Sequence, residues 1–185
     1  MSNVIVIIVF ILFFILNTLQ EKKFVKKGLE VKGKLPINKK LFVIGKISIL
    51  LTWLSAFLQA AGVPLRMVSI YDILINFAAL IFLFGFIILV ASYYYLGEAN
   101  KTGLPEQNTI LRTQGLYKFS RNPLYLGLYI MNIGAVLYTM NVLVLIIGVA
   151  GIIVHHLIVI EEEKFLQNRF GNDYINYKNN VRRYL

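Results

Sequence analysis

Cysteine is absent from the 185 residues, and proline occurs only four times. Without thiols there is no disulfide framework, no Cys-based zinc site and no cysteine nucleophile. Charge is also scarce. Charged residues make up 15% of the chain and hydrophobic ones 58%, against about 25% and roughly 45–50% in soluble domains. That imbalance excludes a disordered chain, a coiled coil, a collagen-like chain and a soluble globular domain. GxGxxG, P-loop, GxSxG and HExxH patterns are missing too, so the familiar nucleotide-binding folds are excluded. The length suits one domain. The net charge is +10, from 19 basic and 9 acidic residues. Because the basic residues sit between apolar runs, their partner is expected to be a membrane surface, with no nucleic acid.

The apolar runs set the architecture. Residues 4–16 are uninterrupted, and Asn17, Thr18 and Leu19 extend the run. No basic region precedes it and no small-residue cleavage site follows, so it reads as a retained first membrane helix. Residues 41–65 form the second run, with Lys46 placed to snorkel toward the interface and Pro64 at the far end. Residues 73–96 carry no charge over 24 positions, enough at about 1.5 Å per residue to cross a ~30 Å hydrocarbon core. That run ends in Tyr93-Tyr94-Tyr95, an interfacial aromatic belt. Residues 124–160 hold no formal charge apart from His155 and His156. One helix of that length would be about 55 Å long, too long for one crossing. The polar Tyr138-Thr139-Met140-Asn141 therefore divides it into a hairpin of 124–138 and 141–160. The fold expected is an all-α integral membrane protein of about five transmembrane helices, with a helical hairpin and a cytoplasmic C-terminal helix.

Orientation follows from the basic residues. Residues 20–40 carry Lys22, Lys23, Lys26, Lys27, Lys32, Lys34, Lys39 and Lys40 against Glu21 and Glu30, which places that loop in the cytoplasm. Alternation puts residues 62–72 outside, with only Arg66 and Asp72 charged, and puts 97–123 and the C-terminal tail inside.

Most of the remaining polar residues fall in two cytoplasmic stretches, 97–125 and 155–185, which can meet at the membrane edge. Three consecutive acids, Glu161-Glu162-Glu163, would be disfavoured at a helix C-terminus. The last membrane helix is therefore expected to continue past them, with a break at Gly171 and a final helix after it. The acids then form either a solvated face paired with lysines or a counter-charge for a cationic ligand. Arg121-Asn122-Pro123-Leu124-Tyr125 opens the fourth helix. Proline suits its first turn, and a helix start beside Arg121 suits either an interfacial anchor or a carboxylate or phosphate. His155 and His156 point in different directions with no well-spaced third ligand, so no metal is expected.

These two stretches resemble the isoprenylcysteine carboxyl methyltransferase family, in the manner of its small prokaryotic-type integral membrane members. The shared pattern is Gly115-Leu116-Tyr117, Arg121-Asn122-Pro123-Leu124-Tyr125, a helical hairpin, Glu162-Glu163-Lys164-Phe165-Leu166, and Phe170-Gly171-Asn172-Asp173-Tyr174-Ile175-Asn176-Tyr177. The match covers about residues 96–183. It implies one membrane domain over 1–185, with a three-helix part over 1–96 and a catalytic, methyl-donor-binding part over 97–185. It also implies S-adenosyl-L-methionine as donor. Thr109, Ile110, Leu111, Arg112 and Tyr117 would form part of the pocket, lined further by Asn122, Pro123, Leu124 and Tyr125. Glu162 would meet the donor's ammonium and Arg121 its carboxylate, so Arg121 and Glu162 are the expected catalytic pair.

The sequence departs from the family in three places. Asn122 replaces the usual His and cannot ionise near neutral pH. The tail lacks the family's closing Pro-containing segment. Ile158 stands where larger eukaryotic members place an Arg for the substrate carboxylate. The implied acceptor is a lipophilic or prenylated molecule entering from the bilayer, most simply a carboxylate such as a prenylcysteine-like compound. A carboxylate is already ionised, so the enzyme's task is in-line positioning at about 3–3.5 Å. The expected site faces the cytoplasm, in the plasma membrane rather than the endoplasmic reticulum. Alternatives are an NADPH-dependent sterol-type membrane reductase and a non-enzymatic membrane scaffold. Oligomeric state leaves no trace in the sequence.

Overall fold

The computed structural model describes residues 1–27, 33–97 and 110–185. Glu30 and Lys32 of the basic loop, the 98–109 part of the first cytoplasmic stretch, and with it Thr109, lie outside the described residues.

Among the described residues six α-helices follow in order: α1 (Ser2–Lys26), α2 (Lys39–Ala60), α3 (Asp72–Leu96), α4 (Pro123–Thr139), α5 (Val142–Phe170) and α6 (Asn172–Asn180). A 3₁₀ turn, Gly115–Lys118, precedes α4. The protein is all-α and multi-pass. Helices α1, α2, α3 and α5 are each long and apolar enough to cross a membrane, and α4 is a shorter apolar helix of 17 residues. The hairpin falls where the polar residues predicted it. Met140 closes α4 in the left-handed region (φ 42°), and the Asn141 side chain caps α5 by accepting from Leu143 N and Val144 N.

Two boundaries differ from the sequence expectation. The second run was expected to continue to residue 65, but α2 stops at Ala60. Gly62 takes φ +101° there, and the Gln59 side chain accepts from Leu65 N and Arg66 N. The first helix runs past residue 19 to Lys26, beyond its apolar part.

Helices α3 and α4 form the tightest pair. Gly85, Gly127 and Gly134 let their backbones touch: a β-carbon at Gly127 would sit 2.7 Å from Leu89 N, and one at Gly134 would meet Phe82 N. Small residues at helix crossings are the usual means of close packing in lipid, where hydrophobic burial between helices supplies little. Helices α2 and α5 pack beside this pair, with Gly45 against Val154 and Gly151 against Ile49. The hydrophobic core lies between α1, α2, α3 and α4, centred on Trp53, Phe82, Met131 and Tyr138. Of the tyrosine belt, Tyr94 is exposed, while Tyr93 turns inward.

Candidate functional site

A cavity of about 460 Å³ opens at the end of the bundle where α5 leaves its apolar segment. Every helix and the 3₁₀ turn contribute to its wall. Ile110, Leu111, Arg112, Tyr117, Arg121, Asn122, Leu124, Tyr125 and Glu162 all line it. Pro123 occupies the first turn of α4, buried behind the wall. Thus nine of the residues singled out from sequence come together around one space.

Local structure explains their placement. Gly115 holds φ +61° and lies against the face of Tyr95, where any side chain would collide with the ring. That fixes the turn that buries Tyr117. The Tyr177 hydroxyl donates to the Tyr117 carbonyl at 2.6 Å, tying α6 to the turn. Burial raises the Tyr117 and Tyr177 hydroxyls well above their ordinary pKa, and lifts Tyr174 to about 12. These phenols stay neutral and offer ring faces and hydrogen bonds, not bases.

The three glutamates diverge because successive helix positions turn by about 100°. Glu161 pairs with Lys164 at 2.7 Å on the exposed side. Glu162 points into the cavity, where the Tyr125 hydroxyl donates to it at 2.9 Å. Among the described residues no Lys or Arg forms an ion pair with Glu162. Arg112 lines the same cavity, and its buried Nε has no partner among the described residues.

Glu163 is buried and makes the densest polar contact in the structure. Arg121 donates to it from Nε and Nη2, both at 3.1 Å, Asn122 Nδ2 donates at 2.8 Å, and Arg183 donates from Nε and Nη2 at 3.0 and 2.9 Å. Arg121 also donates to the carbonyls of Lys178 and Val181. Its guanidinium, expected to meet a ligand carboxylate, is thereby engaged through all three nitrogens within the protein. The tail 181–184 lies across the start of α4: Arg121 N donates to Arg182 O at 2.9 Å and Asn122 N to Arg183 O at 3.2 Å. Tyr184 OH closes the strap against Tyr129 OH at 3.3 Å and His156 Nδ1 at 2.7 Å.

Sequence reasoning did not anticipate the Glu163–Arg183 pair, the inward His155, or the aromatic wall from Phe13, Phe14, Phe42 and Trp53. The glutamate run carried a partial signal, since adjacent helical acids must face different surroundings. The aromatic positions in α1 and α2 were indistinguishable from bilayer-facing residues. No group of three or more metal-ligating side chains occurs among the described residues.

An apolar wall, an acid, an arginine and several phenols thus meet around one cavity. The family model described as phospholipid methyltransferase matches residues 73–173. That is more than half of the chain, which belongs to this family of membrane methyltransferases, the same family as the isoprenylcysteine carboxyl methyltransferases. The membership sets aside the reductase and scaffold readings. No curated protein matches the chain.

Proposed function

We propose that the protein transfers a methyl group from S-adenosyl-L-methionine to a lipophilic acceptor that enters from the bilayer. The observation that carries the reading is the pairing, in one cavity, of two opposite charges with capacity to spare and a continuous aromatic wall. Glu162 would hold the donor's ammonium, since a carboxylate in a poorly hydrated place is costly unless a cation meets it. Arg112, not the engaged Arg121, would hold the donor's carboxylate through its unpartnered Nε. Tyr117 and Tyr125 would turn ring faces toward a sulfonium. When bound, the donor supplies an electrophilic methyl carbon. The protein's own residues orient it, exclude water, and align the acceptor's tail along Phe13, Phe42 and Trp53. Glu163 acts at one remove: it holds Arg121, Asn122 and the tail, and so fixes the cavity's floor.

The basic residues at 20–40 support a cytoplasmic mouth, within reach of a water-soluble donor. The test is calorimetric titration of the purified protein in nanodiscs with S-adenosylmethionine and with its demethylated product. Lipid extracts are then incubated with radiolabelled donor and the products identified by mass spectrometry. Saturable binding and a labelled lipophilic product are expected. A folded protein that binds neither compound would overturn the proposal.

A further inference from the structure

Deeper in the cavity, beyond the residues assigned to the donor, stands His155. It is buried, it lines the cavity, and it lies on the same face of α5 as Glu162. The seven-residue interval is about 10 Å along the axis and within about 20° of two full turns. Ile158, apolar and buried, lies between them.

The hydrogen bonding of the ring fixes its tautomer. His155 Nδ1 lies 2.8 Å from the carbonyl oxygen of Gly151. A carbonyl can only accept, so Nδ1 carries the hydrogen. The neutral ring therefore presents Nε2 as a lone pair. Among the described residues nothing pairs with Nε2, and it is not one of the buried polar atoms sealed away without a partner. The ring edge packs on Gly45 of α2, whose lack of a side chain leaves it room. An imidazole held in one tautomer, facing an occupied-size space on the membrane side of the donor residues, is arranged as a proton acceptor.

Resting on the methyl-transfer reading, we propose that His155 is a catalytic residue: Nε2 takes a proton from the methyl acceptor, whose head is a weakly acidic O–H or S–H of the phenol or thiol kind. The carboxylate implied by the resemblance is already ionised and has no use for a base. An ammonium head is disfavoured because Lys46 lines the same end of the cavity. An aliphatic alcohol holds its proton too tightly for imidazole, whose ordinary pKa is about 6.5. In the step, the acceptor's oxygen or sulfur bonds to the donor's methyl carbon as the methyl–sulfonium bond breaks. The electron pair of that bond stays on the donor sulfur, which becomes a neutral thioether. The acceptor's proton passes to Nε2, and the imidazolium later returns it to water. The positive charge lost by sulfur thus reappears on the ring, so charge and atoms balance.

The groups that face His155 are Lys46 on α2, Tyr125 on α4 with ring centroids 6.3 Å apart, and Glu162 two turns along its own helix; α6 adds Tyr174 and Tyr177 at the cavity's outer end. None of the phenols is placed to substitute as a base while it stays neutral.

Two measurements on the full chain in nanodiscs test the proposal. The first needs no donor. Trp53 is the only tryptophan and lines the cavity, so its fluorescence reports occupancy. Dodecylphenol should bind about 2–10-fold tighter than dodecylanisole, its methyl ether, through one hydrogen bond to Nε2. In His155→Leu the two should bind alike. The second uses labelled donor with dodecylphenol, dodecanethiol, dodecylamine and a farnesylated cysteine carboxylate as probes. His155→Gln should lose about 10²–10⁴-fold in turnover on the phenol and thiol, with its remaining rate climbing as pH rises and the acceptor ionises unaided. Donor affinity, measured by calorimetry, should stay within twofold of wild type, which shows that the variant is folded. A phenol preference that survives in His155→Leu overturns the proposal. So does turnover within twofold in His155→Gln, transfer to the carboxylate or amine probe alone, or no transfer by a protein that binds donor. Absence of donor binding in the wild type overturns the methyl-transfer reading and this one with it.

Discussion

Glu162 and Glu163 are adjacent in the chain and serve different surroundings: Glu162 accepts from Tyr125 inside the cavity, while Glu163 binds Arg121, Asn122 and Arg183 behind it. The 100° turn between helix neighbours separates a ligand-facing acid from a structural one. The same substitution at the two positions should therefore do different things.

Glu163→Gln should destabilise the protein and free the tail. The Arg121 and Glu163 side chains are only 7% and 6% exposed, and breaking a buried pair by removing one partner costs roughly 3–5 kcal/mol. Thermal unfolding in nanodiscs should fall markedly, and hydrogen exchange at residues 181–184 should accelerate. Glu161→Gln, in an exposed pair with Lys164, should change stability by about 0–1 kcal/mol at most.

Asn122→His should fold and keep activity, and Asn122→Leu should not. The Asn122 side chain donates to Glu163 Oε1 at 2.8 Å and to Arg183 O at 3.3 Å. Imidazole can replace one of these bonds. Leucine replaces neither and leaves buried acceptors short of a donor, at about 1–3 kcal/mol. Unfolding midpoints of the two variants, compared with wild type, decide this.

Much of this was legible in the sequence, and the reasons differ by element. The uncharged 73–96 run and the polar break at 138–141 mark helices because lipid forces every backbone group to bond within its own segment. Arg121, Tyr125 and Glu162 were found as members of motifs. What Arg121 touches was not legible, because its partner Glu163 lies 42 positions away and looked equivalent to Glu162. Nor were the inward faces of α1 and α2 legible. In a membrane both faces of a helix are apolar, so periodicity does not separate Trp53, buried, from Leu50, exposed.

The α3–α4 crossing should tolerate no side chain at its glycines. Gly127→Ala would press a methyl group on the Leu89 backbone, and backbone cannot rotate aside as a side chain can. Overpacking of this kind costs about 1–3 kcal/mol. A lowered unfolding midpoint for Gly127→Ala and Gly134→Ala would bear this out, and midpoints equal to wild type would contradict it.

Arg112→Gln should weaken S-adenosylmethionine binding but leave decarboxylated S-adenosylmethionine almost unaffected. The lost contact is to the donor's carboxylate, which the second compound lacks. A charge-assisted hydrogen bond is worth about 1.5–3 kcal/mol, or about 10–150-fold in affinity. Equal weakening of both compounds would assign Arg112 to another part of the donor.

The most direct test of the central claim is calorimetric titration of wild type and Glu162→Gln with S-adenosylmethionine, alongside unfolding curves for both. The account predicts tight binding by wild type and a loss of at least a hundredfold in the variant, the cost of leaving the donor's ammonium unpaired in a dry site at roughly 3–5 kcal/mol. The unfolding midpoint should be unchanged, because Glu162 bonds only to Tyr125 among the described residues. Undiminished affinity in a folded Glu162→Gln protein would contradict it.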